Sequence, residues 1–150
     1  MLNYSRKRDR NAMALAKVLL ADDDLTTRLT LQTVLRAGGY WVDVAATAAE
    51  AIEKLDQAKY DLVLSDLRME SEDSGLKVLA HAKMKDYKPA TALVTSQRDE
   101  TPLTPVRPTE LVVETEGVAG LLSKVADLLG ARATKRVARA LRQAALQTTA

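Results

Sequence analysis

The chain has 150 residues, the size of one ordinary domain, and 47% of them are apolar, enough for a single packed core. It contains no Cys and one His, His81, which excludes disulfide frameworks, thiolate metal sites and a Cys nucleophile, and speaks against zinc clusters and a histidine-based triad. Net charge is +2, but residues 1–12 carry +3 and residues 131–150 carry +5, leaving −6 on residues 13–130; the middle is acidic and both ends are basic. No stretch has the length of a transmembrane helix, and the basic run Arg6, Lys7, Arg8, Arg10 lacks the apolar segment of a secretory signal, so the expected location is the cytoplasm.

Phe is absent, so the core must be built from Leu, Val, Ile and Ala. Residues 17–21 form a short apolar run without alternation, the pattern of a strand buried on both faces, and it ends in Asp22-Asp23-Asp24. From Leu25 to Ala37 apolar residues fall at helical spacing, with Asp24 placed to cap the helix and Gly38-Gly39 to end it. Tyr40 to Ala45 reads as a second strand. Thr47-Ala48-Ala49-Glu50 has the capping-box pattern, each side chain bonding the other residue's amide, and opens a helix bearing Ala51, Ile52 and Leu55. Asp61 to Asp66 is a third strand. A polar loop from Arg68 to Ser74 leads to Gly75 and a helix bearing Leu76, Leu79 and Met84, and Ala90 to Thr95 is a fourth strand.

Strand and helix alternate, which predicts a doubly wound parallel α/β sheet with right-handed crossovers. Pro102, Pro105 and Pro108 oppose a long regular helix in residues 96–109, so the fourth crossover helix is expected to be short or irregular. Leu111-Val112-Val113 reads as a fifth strand. Val118 to Leu129 reads as a helix stopped by Gly130, and residues 131–147 as one further helix.

In an open α/β sheet the functional site lies beyond the carboxyl ends of the strands. The first strand ends at Asp22-Asp23, the third at Asp66 and the fourth at Thr95-Ser96; with strand order 2-1-3-4-5 these ends are neighbours. Carboxylates gathered without a cation repel one another, and an all-oxygen set suits Mg²⁺. A carboxylate beside Mg²⁺ can take a phosphoryl group and become an acyl phosphate, while a hydroxyl and backbone amides bind the remaining oxygens.

Leu19-Leu20-Ala21-Asp22-Asp23, Ser65-Asp66-Leu67-Arg68-Met69, Ser74-Gly75-Leu76 and Leu93-Val94-Thr95-Ser96 together resemble the successive motifs of response-regulator receiver domains. The resemblance covers roughly residues 17–130. It implies a flavodoxin-like (βα)5 fold and phosphotransfer from a sensor histidine kinase or phosphotransfer protein. It also implies residue roles. Asp66 would be the phosphoacceptor. Asp22, Asp23, Asp66 and the Arg68 carbonyl would hold Mg²⁺. Thr95 would contact the phosphoryl group as the switch hydroxyl, with the Ser96 and Leu67 amides as further phosphoryl contacts. The expected chemistry is gain and loss of the chain's own phosphoryl group, not turnover. An aspartyl-phosphate hydrolase is a weaker reading, because Asp66-Leu67-Arg68 lacks a second acid two residues on.

The chain departs from the family pattern near the fifth strand. Glu114 stands at the usual Lys position and Thr115 at the Pro that follows it, and Leu111 is nearest to the usual switch aromatic. Glu70 replaces the Pro after Met69, and the loop to Gly75 is one residue longer than usual. A Glu beside an anionic pocket repels phosphate; Lys124 and Arg107 are candidate substitute cations. The alternative reading is therefore a degenerate pseudo-receiver, a protein-interaction module independent of phosphorylation.

These readings divide the chain into a basic N-terminal extension (1–16), a receiver domain (17–130) and a basic helical extension (131–150). The last segment sets Val137, Ala140, Leu141 and Ala144 at helical spacing among arginines. It reads as a solvated extension, a partner or homodimer helix, or a basic arm touching nucleic acid, with no aromatic for base stacking.

Overall fold

The structure is a computed structural model in which residues 14–95, 112–114 and 118–148 are described, with Thr95, residues 112–114 and Val118 described through their backbone only. Five strands form one parallel sheet: β1 (Lys17–Ala21), β2 (Trp41–Ala45), β3 (Leu62–Asp66), β4 (Ala90–Thr95) and β5 (Val112–Glu114), in the order β2-β1-β3-β4-β5. Four helices accompany them: α1 (Leu25–Ala37), α2 (Ala48–Gln57), α3 (Ser74–Lys83) and α4 (Val118–Thr148). The doubly wound sheet expected from the strand–helix alternation is the sheet observed. The expected fourth crossover helix, in residues 96–109, lies outside the described residues, as do residues 1–13.

The aliphatic runs become strands because both faces of the sheet are covered. Leu19, Val63 and Leu93 point to one side and pack with Ala51, Leu55, Val78 and Leu79 of α2 and α3. Val18, Leu20, Leu62 and Leu64 point to the other and pack with Leu31 and Leu35 of α1 and with Leu121 and Val125 of α4. Each fully buried leucine contributes roughly 2–3 kcal/mol through removal of apolar surface from water.

Registers align the carboxyl ends of the central strands. Ala21 of β1 pairs with Ser65 of β3, Asp66 of β3 with Val94 of β4, and Thr95 of β4 with Glu114 of β5. Residues that follow β1, end β3 and end β4 therefore share one edge of the domain.

Helix α1 has the expected bounds. Asp24 is its N-cap, with its carboxylate accepting the Thr27 amide at 3.2 Å, and the chain leaves through Gly38 and Gly39, the latter at φ 98°. The other ends correct the sequence reading in detail. β2 begins at Trp41 and β3 at Leu62, one residue later than expected in each case, and Met84 lies just past α3, 79% exposed. Gly130 does not stop a helix: α4 runs unbroken from Val118 to Thr148. A glycine in a helix interior costs about 1 kcal/mol, which neighbouring turns can offset, and a helix stop also needs a closing conformation after it.

Candidate functional site

β1 delivers its last residue, Ala21, fully buried, so the next residue emerges at the rim of the core. The Asp22 amide donates to the Ala45 carbonyl of β2 at 2.9 Å, which fixes the turn out of the strand. Asp22 itself is 4% exposed; its Oδ1 accepts the Asp24 amide at 2.9 Å, and its carbonyl accepts Nη1 of Arg28 at 2.9 Å. Asp23 is exposed beside it, and Asp66 is half-buried at the end of β3.

Asp22, Asp23 and Asp66 each offer a carboxylate oxygen, and these three atoms lie within 4.8 Å of one another. Burial pushes the Asp22 carboxyl up from its ordinary range, its bond from the Asp24 amide opposes this, and the charges of Asp23 and Asp24 push it further up. An all-oxygen, mutually repelling set at this spacing fits one small hard cation.

The loop behind Asp66 is held by close backbone contacts. Gly75, the second residue of α3, donates its amide to the Leu67 carbonyl at 2.8 Å. A Cβ at Gly75 would lie 2.2 Å from the Asp66 carbonyl oxygen and 2.7 Å from the Leu67 Cα, so no side chain fits without moving the strand end. The Ser65 hydroxyl donates to the same Asp66 carbonyl at 2.9 Å. Leu67 is buried, and Arg68 is half-buried with one guanidinium nitrogen, Nη2, buried and without a hydrogen-bond partner.

A profile of the response regulator receiver domain matches residues 18–110. The chain belongs to the response-regulator receiver family. Its similarity to curated proteins is concentrated in part of the domain. It is 39% identical over 66 residues to the transcriptional regulatory protein ZraR of Klebsiella oxytoca, covering 44% of this chain and 15% of that protein. It is 36% identical over 77 residues to the transcriptional regulatory protein ResD of Bacillus subtilis, covering 51% of this chain and 32% of that one. The matches thus span about a third or less of these regulators. A crystal structure of a response regulator receiver protein from Sinorhizobium medicae superposes with a TM-score of 0.64 at 26% identity, covering 77% of this chain and 95% of the other.

Set against the sequence-based expectations for this receiver, Asp22, Asp23 and Asp66 converge. The Thr95 backbone lies at the same edge, one strand away from Asp66. Its side chain and Ser96 lie outside the described residues, as do Arg107, Leu111 and Thr115. The Glu114 backbone pairs beside Thr95; that Glu114 stands at the family's usual Lys position is an expectation from the sequence. Lys124 is exposed on α4. Among the described residues, no helix is long and apolar enough to cross a membrane.

Three side chains were not singled out for the roles they have. Glu70 reaches the N-terminus of α2 and accepts the Ala48 amide at 2.7 and 3.0 Å, which holds its carboxyl below the usual range. It adds a second carboxylate to the helix start that the Thr47–Glu50 box was expected to cap, bonding an amide the box does not reach. The Glu50 amide does donate to Thr47 Oγ1 at 3.1 Å, but the Glu50 carboxylate accepts from Ala46 at 2.9 Å instead of from Thr47. His81, given no role from sequence, bonds Asp56 at 2.8 Å. The third, Arg132, binds the opposite end of the sheet.

Proposed function

We propose that this receiver takes a phosphoryl group on Asp66 from a phosphohistidine donor, with Mg²⁺ held by Asp22, Asp23, Asp66 and the Arg68 carbonyl. The observation that carries the reading is the approach of the three carboxylates within 4.8 Å at the carboxyl edge of the sheet. Bound Mg²⁺ would supply neutralisation of phosphoryl oxygens that three carboxylates would otherwise repel.

The residues of the chain would act as follows. An Asp66 oxygen attacks phosphorus, a P–O bond forms, and the P–N bond of the donor breaks as the imidazole leaves with the electron pair. Asp22 and Asp23 hold the site's charge in balance with the cation. Thr95, with the Ser96 and Leu67 amides, would bind phosphoryl oxygens. Gly75 keeps the Asp66 backbone in place, because only hydrogen fits against its carbonyl. Water later hydrolyses the acyl phosphate and restores Asp66. A sensor kinase or phosphotransfer protein is the partner this chemistry requires, and the cytoplasm is where such a donor would be met.

One observation favours a second reading. The Glu114 backbone pairs beside Thr95, and a Glu at the position where the sequence reading expects the family's Lys would disfavour phosphate. On that reading the domain is a binding module that signals without phosphorylation. Incubation with acetyl phosphate and Mg²⁺, followed by intact-mass measurement, separates the two. The first reading requires one added phosphoryl mass that disappears in Asp66→Asn and in EDTA. An unchanged mass, under conditions that label another receiver, establishes the second.

A further inference from the structure

The end of the sheet farthest from Asp66 carries a surface of opposite charge. Arg132, Lys135, Arg136, Arg139 and Arg142 of α4 recur at helical spacing and fall within an arc of about 120°. No acid follows Asp127 in the chain. Arg132 is turned into the domain: Nη1 meets Asp61 Oδ1 at 2.7 Å, Nη2 donates to the Tyr87 carbonyl at 2.9 Å and Nε to the Lys88 carbonyl at 3.1 Å. This three-point contact sets the helix across the amino ends of β3 and β4, so the other four cations line the space beside the domain.

Two clefts flank this ridge. One, of about 570 Å³, has Lys83, Lys88, Lys135, Arg139 and Arg142 around a floor that includes Pro89, and its lining contains no carboxylate. The other, of about 610 Å³, adds Lys59 and Arg136 and contains Asp61, already bonded to Arg132, and Asp86. In the first cleft Lys88, Lys135, Arg139 and Arg142 face no carboxylate of its lining, and a surface of that sign attracts a polyanion.

We propose that the ridge of α4 and its flanking clefts bind the phosphate backbone of nucleic acid without reading base sequence. Arg132 to Arg142 spans about 15 Å of helix axis, the rise of about four phosphates along one strand. The exposed apolar residues within this span, Val137 and Leu141, lie on the opposite arc of the helix, so the ridge lacks the large apolar anchors an acidic protein segment would use. Helix α4 from residue 118 onward has no aromatic residue, and of the two tyrosines in the second cleft Tyr60 is buried and Tyr87 donates its hydroxyl to the Leu55 carbonyl, which favours backbone contact over base stacking. The inference is independent of phosphotransfer, since the acidic site is at the other end of the strands.

The test is fluorescence anisotropy of a labelled mixed-sequence DNA duplex with the full chain at low salt. Binding is expected to weaken with salt at a log–log slope of about −4. Replacing Lys135, Arg136, Arg139 and Arg142 together with Gln, while keeping Arg132, should weaken binding at least about tenfold and bring the slope close to zero. Circular dichroism melting of that variant checks that α4 and the domain are retained. Changing the three arginines 136, 139 and 142 to Lys should keep binding within about threefold, because point charges suffice for backbone contact. Absence of duplex binding at low salt would overturn the proposal, as would binding unchanged in the folded Gln variant. Binding of a polyglutamate peptide in place of the duplex would overturn it too, and assign the ridge to an acidic protein.

Discussion

Nη1 of Arg132 lies 2.7 Å from Oδ1 of Asp61, joining the long C-terminal helix to the first turn of backbone before β3. The same aspartate accepts the Lys17 amide at 2.8 Å through its other oxygen, and its own amide and carbonyl bond β1 and β4. One residue, through its carboxylate and its backbone, thereby ties the amino ends of three strands to α4. The guanidinium side chain is only 11% exposed, and its burial, which lowers the arginine's pKa, is opposed by Asp61.

Arg132→Met should therefore cost about 2 kcal/mol in denaturant unfolding, since it removes three hydrogen bonds and leaves polar acceptors behind. Hydrogen exchange should show residues 131–148 losing protection before the rest of the domain. Equal stability and unchanged protection would show that α4 is held elsewhere.

Gly75→Ala should destabilise the domain by about 2–3 kcal/mol, because the new Cβ meets backbone atoms of Asp66 and Leu67 and not a flexible side-chain end. The displacement falls on the phosphoacceptor's own backbone, so labelling by acetyl phosphate should slow as well. A parallel Gly120→Ala variant, where nothing lies within 4 Å of a Cβ, should be neutral or slightly stabilising. The pair is compared by thermal melting.

Much of this was readable from residue order. The strands announce themselves because both faces of the sheet are buried, which turns a period-2 pattern into a plain aliphatic run. The three acids could be gathered from sequence because strand ends share an edge in this fold. What escaped notice are contacts made across the chain. Glu70 reaches an amide 22 residues away, and Arg132 a carboxylate 71 residues away; neither leaves a local pattern. Gly130 misled for a related reason. A glycine after an apolar stripe looks like a stop, but the arginine two residues later docks the next turn and the helix continues.

Glu70→Gln should separate from wild type in a pH-dependent way. The bond from the Ala48 amide lowers the Glu70 pKa, so the folded state favours the carboxylate. Its contribution is present above the ordinary glutamate pKa and is lost as pH falls through the folded value. At neutral pH the variant should be less stable by about 0.5 kcal/mol, the low end for a helix cap because Glu70 is exposed. Urea titrations across pH should converge well below pH of about 4. A constant offset at all pH values would assign the effect to packing.

Asp22→Asn should raise the melting temperature of the metal-free chain by a few degrees. It removes the one buried charge from a cluster of like charges and keeps the oxygen that accepts the Asp24 amide. In wild type, millimolar Mg²⁺ should raise the melting temperature through preferential binding to the folded state; the variant should lose most of that gain. A Mg²⁺ response preserved in Asp22→Asn would place the cation elsewhere.

The most direct measurement is a crystal structure of the full chain grown with Mg²⁺ and beryllofluoride. The account predicts beryllofluoride on an Asp66 carboxylate oxygen, with Mg²⁺ between it and the oxygens of Asp22, Asp23 and the Arg68 carbonyl. An unmodified Asp66 with the Glu114 carboxylate filling the phosphoryl position would contradict it.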